Sequence, residues 1–410
     1  MTQDAAVRRR WMWTRPLRIH LSVVIVILLL LIAVPLIWLS YEQGVRLSTT
    51  AAQQQMTLLG RRAVERYRTV LGDGLSSAST VAASMAFSST PPADLDQKTL
   101  LLRKALDTSP FIDSIFAGYP DGSFVQLVST VTSPDWAKGM SMPEGTVYAL
   151  RIMETGAGRR EFLWRFLDGG GRLISERRTG RTTYDPRRRP WYKDAVGGSD
   201  AIAVGPYVMA TTRALGITIA APTDANSSIV IGADMLLSTL SRLLARDAVS
   251  KNAMGYVFDA NDRLIIHSDP ARMEKLKDHL MQTGRVAVGG LDDPVLDKVQ
   301  ELLDSDGSRD GTLRFDVEGS PYLAQLVQLD RDAISGGDTV AIVAPLADFT
   351  RDSEQLLRNS MLFSAVLLTA GILAALLISR LISRSLTLLT LDARRMGDLE
   401  LGGSRVVHSY

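Results

Sequence analysis

The sequence predicts an α+β protein in which two transmembrane helices bracket a long outer segment, itself a stalk helix followed by two antiparallel-sheet modules. Three observations carry this. Two uncharged apolar runs lie near the ends of the 410 residues. A proline-free stretch with helical spacing follows the first run, and short β-branched and aromatic runs divided by turn residues fill the rest. With 46 % hydrophobic residues, the chain holds enough apolar sequence for folded cores and membrane segments together.

Residues 1–20 form a basic tail expected on the cytoplasmic side, with Arg8, Arg9, Arg10, Arg15 and Arg18. Residues 21–39, LSVVIVILLLLIAVPLIWL, are long enough to cross the hydrocarbon core as a helix, which needs roughly 20 residues. The run exceeds the h-region of a signal peptide and no A-x-A-like site follows, so it reads as an uncleaved anchor. Trp11, Trp13, Trp38 and Tyr41 suit the interfacial belts at its ends. Residues 40–90 read as the stalk helix, with Leu47, Met56, Leu59, Ala63, Val64, Tyr67 and Leu71 at helical spacing; Pro91-Pro92 mark its end, and a second helix is expected over 97–107.

Residues 91–247 read as the membrane-distal module. Hairpins turn at Pro120-Asp121-Gly122 and at Gly169 to Gly171, the runs ALGITIAAPT and SSIVIGADM are strands, and LLSTLSRLLARDAV is a helix. Residues 248–359 repeat the pattern as a membrane-proximal module, with hairpins through Ala260-Asn261-Asp262 and Glu318-Gly319 and a closing strand in TVAIVAPLADF. Residues 360–379, SMLFSAVLLTAGILAALLIS, form the second span, and Arg380, Arg384, Arg394 and Arg395 after it place both termini in the cytoplasm and the outer segment outside.

Composition limits the chemistry. The 46 basic and 44 acidic side chains are spread evenly and sum to +2, so no domain offers the basic field that nucleic acid binding needs. Cysteine is absent, which removes disulfides, thiol nucleophiles and cysteine metal sites. His20, His267, His279 and His408 are scattered, with no H-E-x-x-H pair, G-x-S-x-G elbow or P-loop. His267, near Asp259, Asp262 and Asp269, reads as a solvated hairpin end rather than a metal site. No catalytic residue, metal or cofactor is assigned. A protein-interaction module and an extracellular hydrolase are the other readings; the second needs a titratable pair in a cleft that the sequence does not display.

The densest cluster is Tyr184-Asp185-Pro186-Arg187-Arg188-Arg189-Pro190-Trp191-Tyr192. A guanidinium presents a donor fork that matches a carboxylate, and neighbouring rings supply apolar walls and cation-attracting faces. Two prolines are expected to keep the loop out of regular structure. Arg187 and Arg188 read as solvated or structural. Tyr207 after Gly205-Pro206, and Asp234 at the end of the strand Ile229 to Ala233, are placed to converge on the loop if their strands are neighbours. Asp234 also reads as a possible cap of a helix starting at Met235.

Here residues 41–359 resemble the double Cache sensor domains of bacterial receptors, whose distal module carries a loop close to Y-D-P-R-x-R-P-W-Y and a later G-A-D at a strand end. The resemblance implies two PAS-like modules and a ligand site. By position, Tyr184, Arg189 and Trp191 would hold a ligand carboxylate, and Tyr192 and Asp234 its ammonium. Those receptors also carry Tyr-x-Asp; here Tyr207 is followed by Val208 and Met209, so the acidic partner is missing and an organic acid stands beside an amino acid as the expected ligand. Residues 380–410 resemble the start of a HAMP linker, the cytoplasmic relay of such receptors. The second HAMP helix is not within the sequence, which reads as a fragment or as a receptor whose output module has been lost. The implied function is a homodimeric receptor of the bacterial inner membrane. It senses a small periplasmic amino acid, organic acid or amine and signals through HAMP to an adenylate or guanylate cyclase, a histidine kinase or a chemotaxis signalling helix.

Overall fold

The computed structural model describes residues 17–156, 159–246, 250–283, 291–306, 309–330, 334 and 336–397. Tail residues 1–16 and residues 398–410 of the HAMP-like segment lie outside the described residues. The chain divides into two compact units, one of residues 51–348 and one of the terminal segments.

In the terminal unit, α1 (Leu17–Ala82) begins as the first apolar run and α8 (Ala347–Gly397) contains the second. Both helices are long and apolar enough to cross a membrane. They expose Leu31, Leu36, Phe363 and Leu367, side chains that water would disfavour and a lipid phase would not.

The unit 51–348 begins in the same α1, so stalk and first span are one continuous helix. Its buried positions Ala52, Met56, Ala63, Tyr67, Val70, Ala78 and Val81 recur at helical spacing and make one apolar face. Next come α2 (Leu95–Thr108), β1 (Ser114–Gly118), β2 (Phe124–Ser129), α3 (Pro134–Gly139), β3 (Tyr148–Gly156), β4 (Arg159–Leu167), β5 (Leu173–Arg181), α4 (Pro190–Ala195), β6 (Ile202–Val208), β7 (Leu215–Thr223) and β8 (Asn226–Leu236). These strands form one antiparallel sheet in the order β5-β4-β3-β2-β1-β8-β7-β6. After α5 (Leu237–Arg246), the strands β9 (Met254–Phe258) and β10 (Leu264–His267), the helices α6 (Pro270–Thr283) and α7 (Pro294–Asp306), and the strands β11 (Gly311–Val317), β12 (Ser320–Gln328) and β13 (Thr339–Pro345) complete the second module. Its sheet runs β10-β9-β13-β12-β11. The α+β architecture of two antiparallel sheets in series on a long helix is therefore as expected, and it is the arrangement the double Cache resemblance implies.

Both sheets use α1 as their backing. Thr57 donates to Gln325 of β12 at 3.0 Å and Tyr67 to Asp338 at 2.8 Å, while further along the helix Gly74 lies against Ile219 and Met235 of the first sheet.

Three local expectations are corrected. The prolines of the 184–192 cluster do not exclude helix: Pro186 starts a 3₁₀ turn (Pro186–Arg188) and Pro190 starts α4, each at a first-turn position where no N–H is missed. Asp234 is no helix cap, because β8 continues to Leu236 and α5 starts at Leu237. His267 is not solvated; it is buried in β10 and hydrogen-bonded. The strands β3 and β6, and the helices α6 and α7, add to the elements read from sequence.

Candidate functional site

Side chains alternate across a strand, so cross-strand partners at every second position share one face of the first sheet. The pairings Phe116↔Gln126↔Arg151↔Trp164 and Ser114↔Asp234↔Thr218 put these residues together on one face. Part of that face is aromatic. Phe116, Phe124, Phe162, Trp164 and Phe166 make its floor, and the segment 184–195 lies over it. The other face carries Ile115, Leu127, Leu150, Ile152, Ile219 and Ile231, all buried.

Trp191 is the plug of this layer. It is buried with its ring 4.8 Å from Phe116 and 5.5 Å from Tyr192. Gly118 makes room for it, since a Cβ there would stand 2.5 Å from the indole. Tyr192 leans on Trp191 and donates its hydroxyl to the Ser228 carbonyl at 2.5 Å, six positions along β8 from Asp234. Arg187 folds back on Asp185 at 2.9 Å, and Arg160 joins the same carboxylate at 2.9 Å. The Arg187 hydrogen bonds and then Arg160 hold the buried Asp185 carboxyl far below the usual range, despite the opposing effect of burial. That ion pair shapes the loop and leaves Arg188 exposed.

The remaining polar groups converge. Asp234, only 6 % exposed, accepts from Thr218 at 2.5 Å and from Ser114 at 3.1 Å. A hydroxyl has one hydrogen, and Thr218 spends it on Asp234, so the hydroxyl contact between Tyr207 and Thr218 has Tyr207 as donor. On the other side Gln126 donates to Ser114 at 2.9 Å and accepts from Thr211 at 2.9 Å. Two hydrogen-bond chains thus link Tyr207 and Thr211, beside the loop, to one carboxyl. Burial raises that carboxyl to about 7, against the hydroxyl donors and Arg189. Burial likewise drives the Tyr207 hydroxyl well above its ordinary value and Tyr184 up to about 12.

Arg189 donates to the Val208 carbonyl at 3.2 Å and lies 5.6 Å from the Tyr207 ring centroid. Among the described residues it pairs with no carboxylate. Of the six residues singled out in sequence, the structure brings Tyr184, Arg189, Tyr207 and Asp234 into one electrostatic neighbourhood. Trp191 lies beneath the loop, and the Tyr192 hydroxyl points elsewhere.

One residue was missed. Arg151 of β3 is 5 % exposed, and its guanidinium faces four rings, Phe162 at 4.4 Å, Phe124 at 5.0 Å, Tyr184 at 5.1 Å and Trp164 at 5.5 Å. Its Nε is buried without an acceptor. Burial lowers its proton affinity to about 10 against support from Tyr184 and Asp234, and Arg189 lowers it further. Ala149, Arg151 and Met153 alternate along YALRIM onto the loop-covered face, but both faces of β3 are buried, so the alternation alone does not single Arg151 out.

No family profile matches the chain. It is 32 % identical over 406 residues to Adenylate cyclase 1 of Rhizobium meliloti, an alignment covering 97 % of this chain and 59 % of that protein. It is 35 % identical over 88 residues to the methyl-accepting chemotaxis protein McpG of Pseudomonas putida, covering 21 % of this chain and 14 % of that one. The chain thus spans less than two thirds of the length of either relative. Among solved structures it is similar to the sensory domain of the Campylobacter jejuni chemoreceptor Tlp3 with isoleucine bound, at 12 % identity over 74 % of this chain and 96 % of that one, TM-score 0.44. It is also similar to the ligand-binding domain of the Pseudomonas fluorescens chemoreceptor CtaA in complex with L-alanine, at 18 % identity over 74 % and 98 %, TM-score 0.42.

Proposed function

We propose that this chain is the sensing part of a two-span transmembrane receptor, and that the first sheet module binds a small carboxylate-bearing ligand beneath the 184–195 loop. The observation that carries the reading is the open charge set on the loop-covered face: Arg189 and Arg151 have no carboxylate partner among the described residues, and Asp234 is met by hydroxyls rather than by a cation. Buried charges are ordinarily paired, so such a set is suited to a charged ligand that completes it.

In this reading Arg189 and Tyr184 take a ligand carboxylate, Asp234 with Tyr207 takes a donor group of the ligand, and Trp191 with Tyr192 holds the loop in place. The outer segment 40–359 is periplasmic, with both termini in the cytoplasm of a homodimer, and the segment 380–410 is the start of a HAMP relay. Ligand binding favours one arrangement of the loop and sheet. Because α1 backs both sheets and continues into the first span, that preference is passed along the helix. The relation to Adenylate cyclase 1 over nearly the whole chain favours a nucleotide cyclase as the output that such a receptor would control. The chain itself supplies sensing rather than catalysis in this account.

Isothermal titration of the full chain in lipid nanodiscs against amino acids, organic acids and amines tests the proposal. A saturable heat with at least one carboxylate, lost or weakened in Arg189→Ala, is the expected result. Absence of binding across the panel, or equal binding by the variant, would overturn the site.

A further inference from the structure

We infer that the ligand carries two anionic groups, that is, a dicarboxylate with or without an amino group, and that Arg151 anchors the second of them. This rests on the sensor reading above and narrows the ligand class.

Four rings from three separate segments, Phe124 of β2, Phe162 and Trp164 of β4 and Tyr184 of the loop, surround one point of the sheet face. Aromatic faces attract cations, and a cage of this kind ordinarily receives the ammonium of a ligand. Here the chain's own guanidinium fills it. A ligand cation directed to the cage would meet Arg151 and be repelled, whereas a ligand anion would meet a donor fork held rigid by the rings. The Nε hydrogen already lacks an acceptor in a buried position.

The charge count points the same way. Two guanidinium groups, Arg151 and Arg189, act on the same carboxyl, Asp234, and on each other. Among the described residues, Asp234 is the one carboxyl on the site face within this network. The neighbouring buried carboxyl, Asp113, accepts from Thr132 and Ser133 on Oδ1, while its Oδ2 is buried without a donor among the described residues. Burial raises both carboxyls, Asp113 to about 6 and Asp234 to about 7. One ligand carboxylate on Arg189 would leave Arg151 uncompensated; a second one completes the set, and an amino group, where present, falls to Asp234.

The test compares molecules of equal size that differ by one charge. The full chain in nanodiscs is titrated with L-aspartate against L-asparagine, L-glutamate against L-glutamine, and succinate against succinamate. At least one dicarboxylate is expected to bind about tenfold or more tightly than its amide, the size one charge-assisted hydrogen bond supports. Arg151→Gln is expected to reduce that preference to about threefold or less while Arg151→Lys keeps part of it. The wild-type comparison decides the ligand class even if Arg151→Gln fails to fold. An amide that binds as well as its dicarboxylate, or tight binding confined to monocarboxylates, overturns the inference and leaves the sensor reading standing. An Arg151→Gln protein that keeps the full preference overturns the role of Arg151. No binding by any carboxylate or amine overturns both readings.

Discussion

In the second sheet module, Asp269 N–H donates to His267 Nδ1 at 2.8 Å, so His267 donates from Nε2 to Asp293 at 2.9 Å; Tyr256 gives its hydroxyl to the same oxygen at 3.1 Å. The other Asp293 oxygen accepts from the N–H groups of Val295 and Leu296, at 3.0 and 3.1 Å, where α7 starts. Every valence of that carboxylate is spent inside the module. Burial raises it, but the bonds from His267, Leu296 and Tyr256 outweigh burial and leave it below its ordinary value. In the first module, among the described residues, Asp234 has hydroxyl partners only, and Arg151 has rings in place of an acceptor. A closed polar network fixes a fold, whereas an open one retains capacity for a charge from outside. The two modules share a pattern of hairpins, and the Asp293 and Asp234 networks differ in this respect, which favours the first module as the binding site.

The strongest test of the contrast is Asp293→Ala. It orphans His267 and Tyr256 and removes the cap of α7, so a loss of about 3 to 5 kcal/mol is expected, with a fall in melting temperature of roughly 10 °C. Ligand affinity measured below the transition should stay within about threefold of wild type. A variant that melts normally would show that the second network is not structural.

Asp234→Asn should act in the opposite sense on stability. A carboxyl raised to about 7 in the fold favours its protonated form, so its stabilising share is full below about 3.9 and is lost as pH rises through about 7. The asparagine variant is therefore expected to gain on wild type across that window, by on the order of 2 to 4 kcal/mol at pH 8, read as a diverging pair of melting curves. A gap that does not change with pH would refute the burial argument.

Gly118→Ala probes packing under the loop. The added methyl would stand 2.5 Å from Trp191, and overpacking of this kind costs about 1 to 3 kcal/mol. A lower melting temperature together with weakened ligand binding is expected; weakened binding alone would mean that Trp191 is a ligand wall rather than a plug. Arg189→Ala is the mildest for the fold. It is expected to lower affinity by about tenfold, while the melting temperature moves by no more than about 2 °C.

Much of this was legible in the chain. The hairpins at Pro120-Asp121-Gly122 and Glu318-Gly319 place turn residues between β-branched runs, a local signal that tertiary packing had no reason to override. The 184–192 cluster stood out because guanidinium groups and rings are dense within nine residues. What escaped was non-local or interrupted. Gly205-Pro206 breaks the pattern of β6, whose register to β7 shifts at that point. Arg151 looks like one charge on a strand, and its cage is assembled from β2, β4 and the loop, which sequence spacing does not relate. Asp234 before an apolar run has the local look of a cap, yet pairing with β7 carries the strand two residues further.

Hydrogen–deuterium exchange of the full chain in nanodiscs, with and without the tightest-binding carboxylate, tests the central claim most directly. Slowed exchange confined to the 184–196 and 202–212 segments is the predicted result. Protection appearing instead in the second sheet, between residues 254 and 345, would contradict the placement of the site.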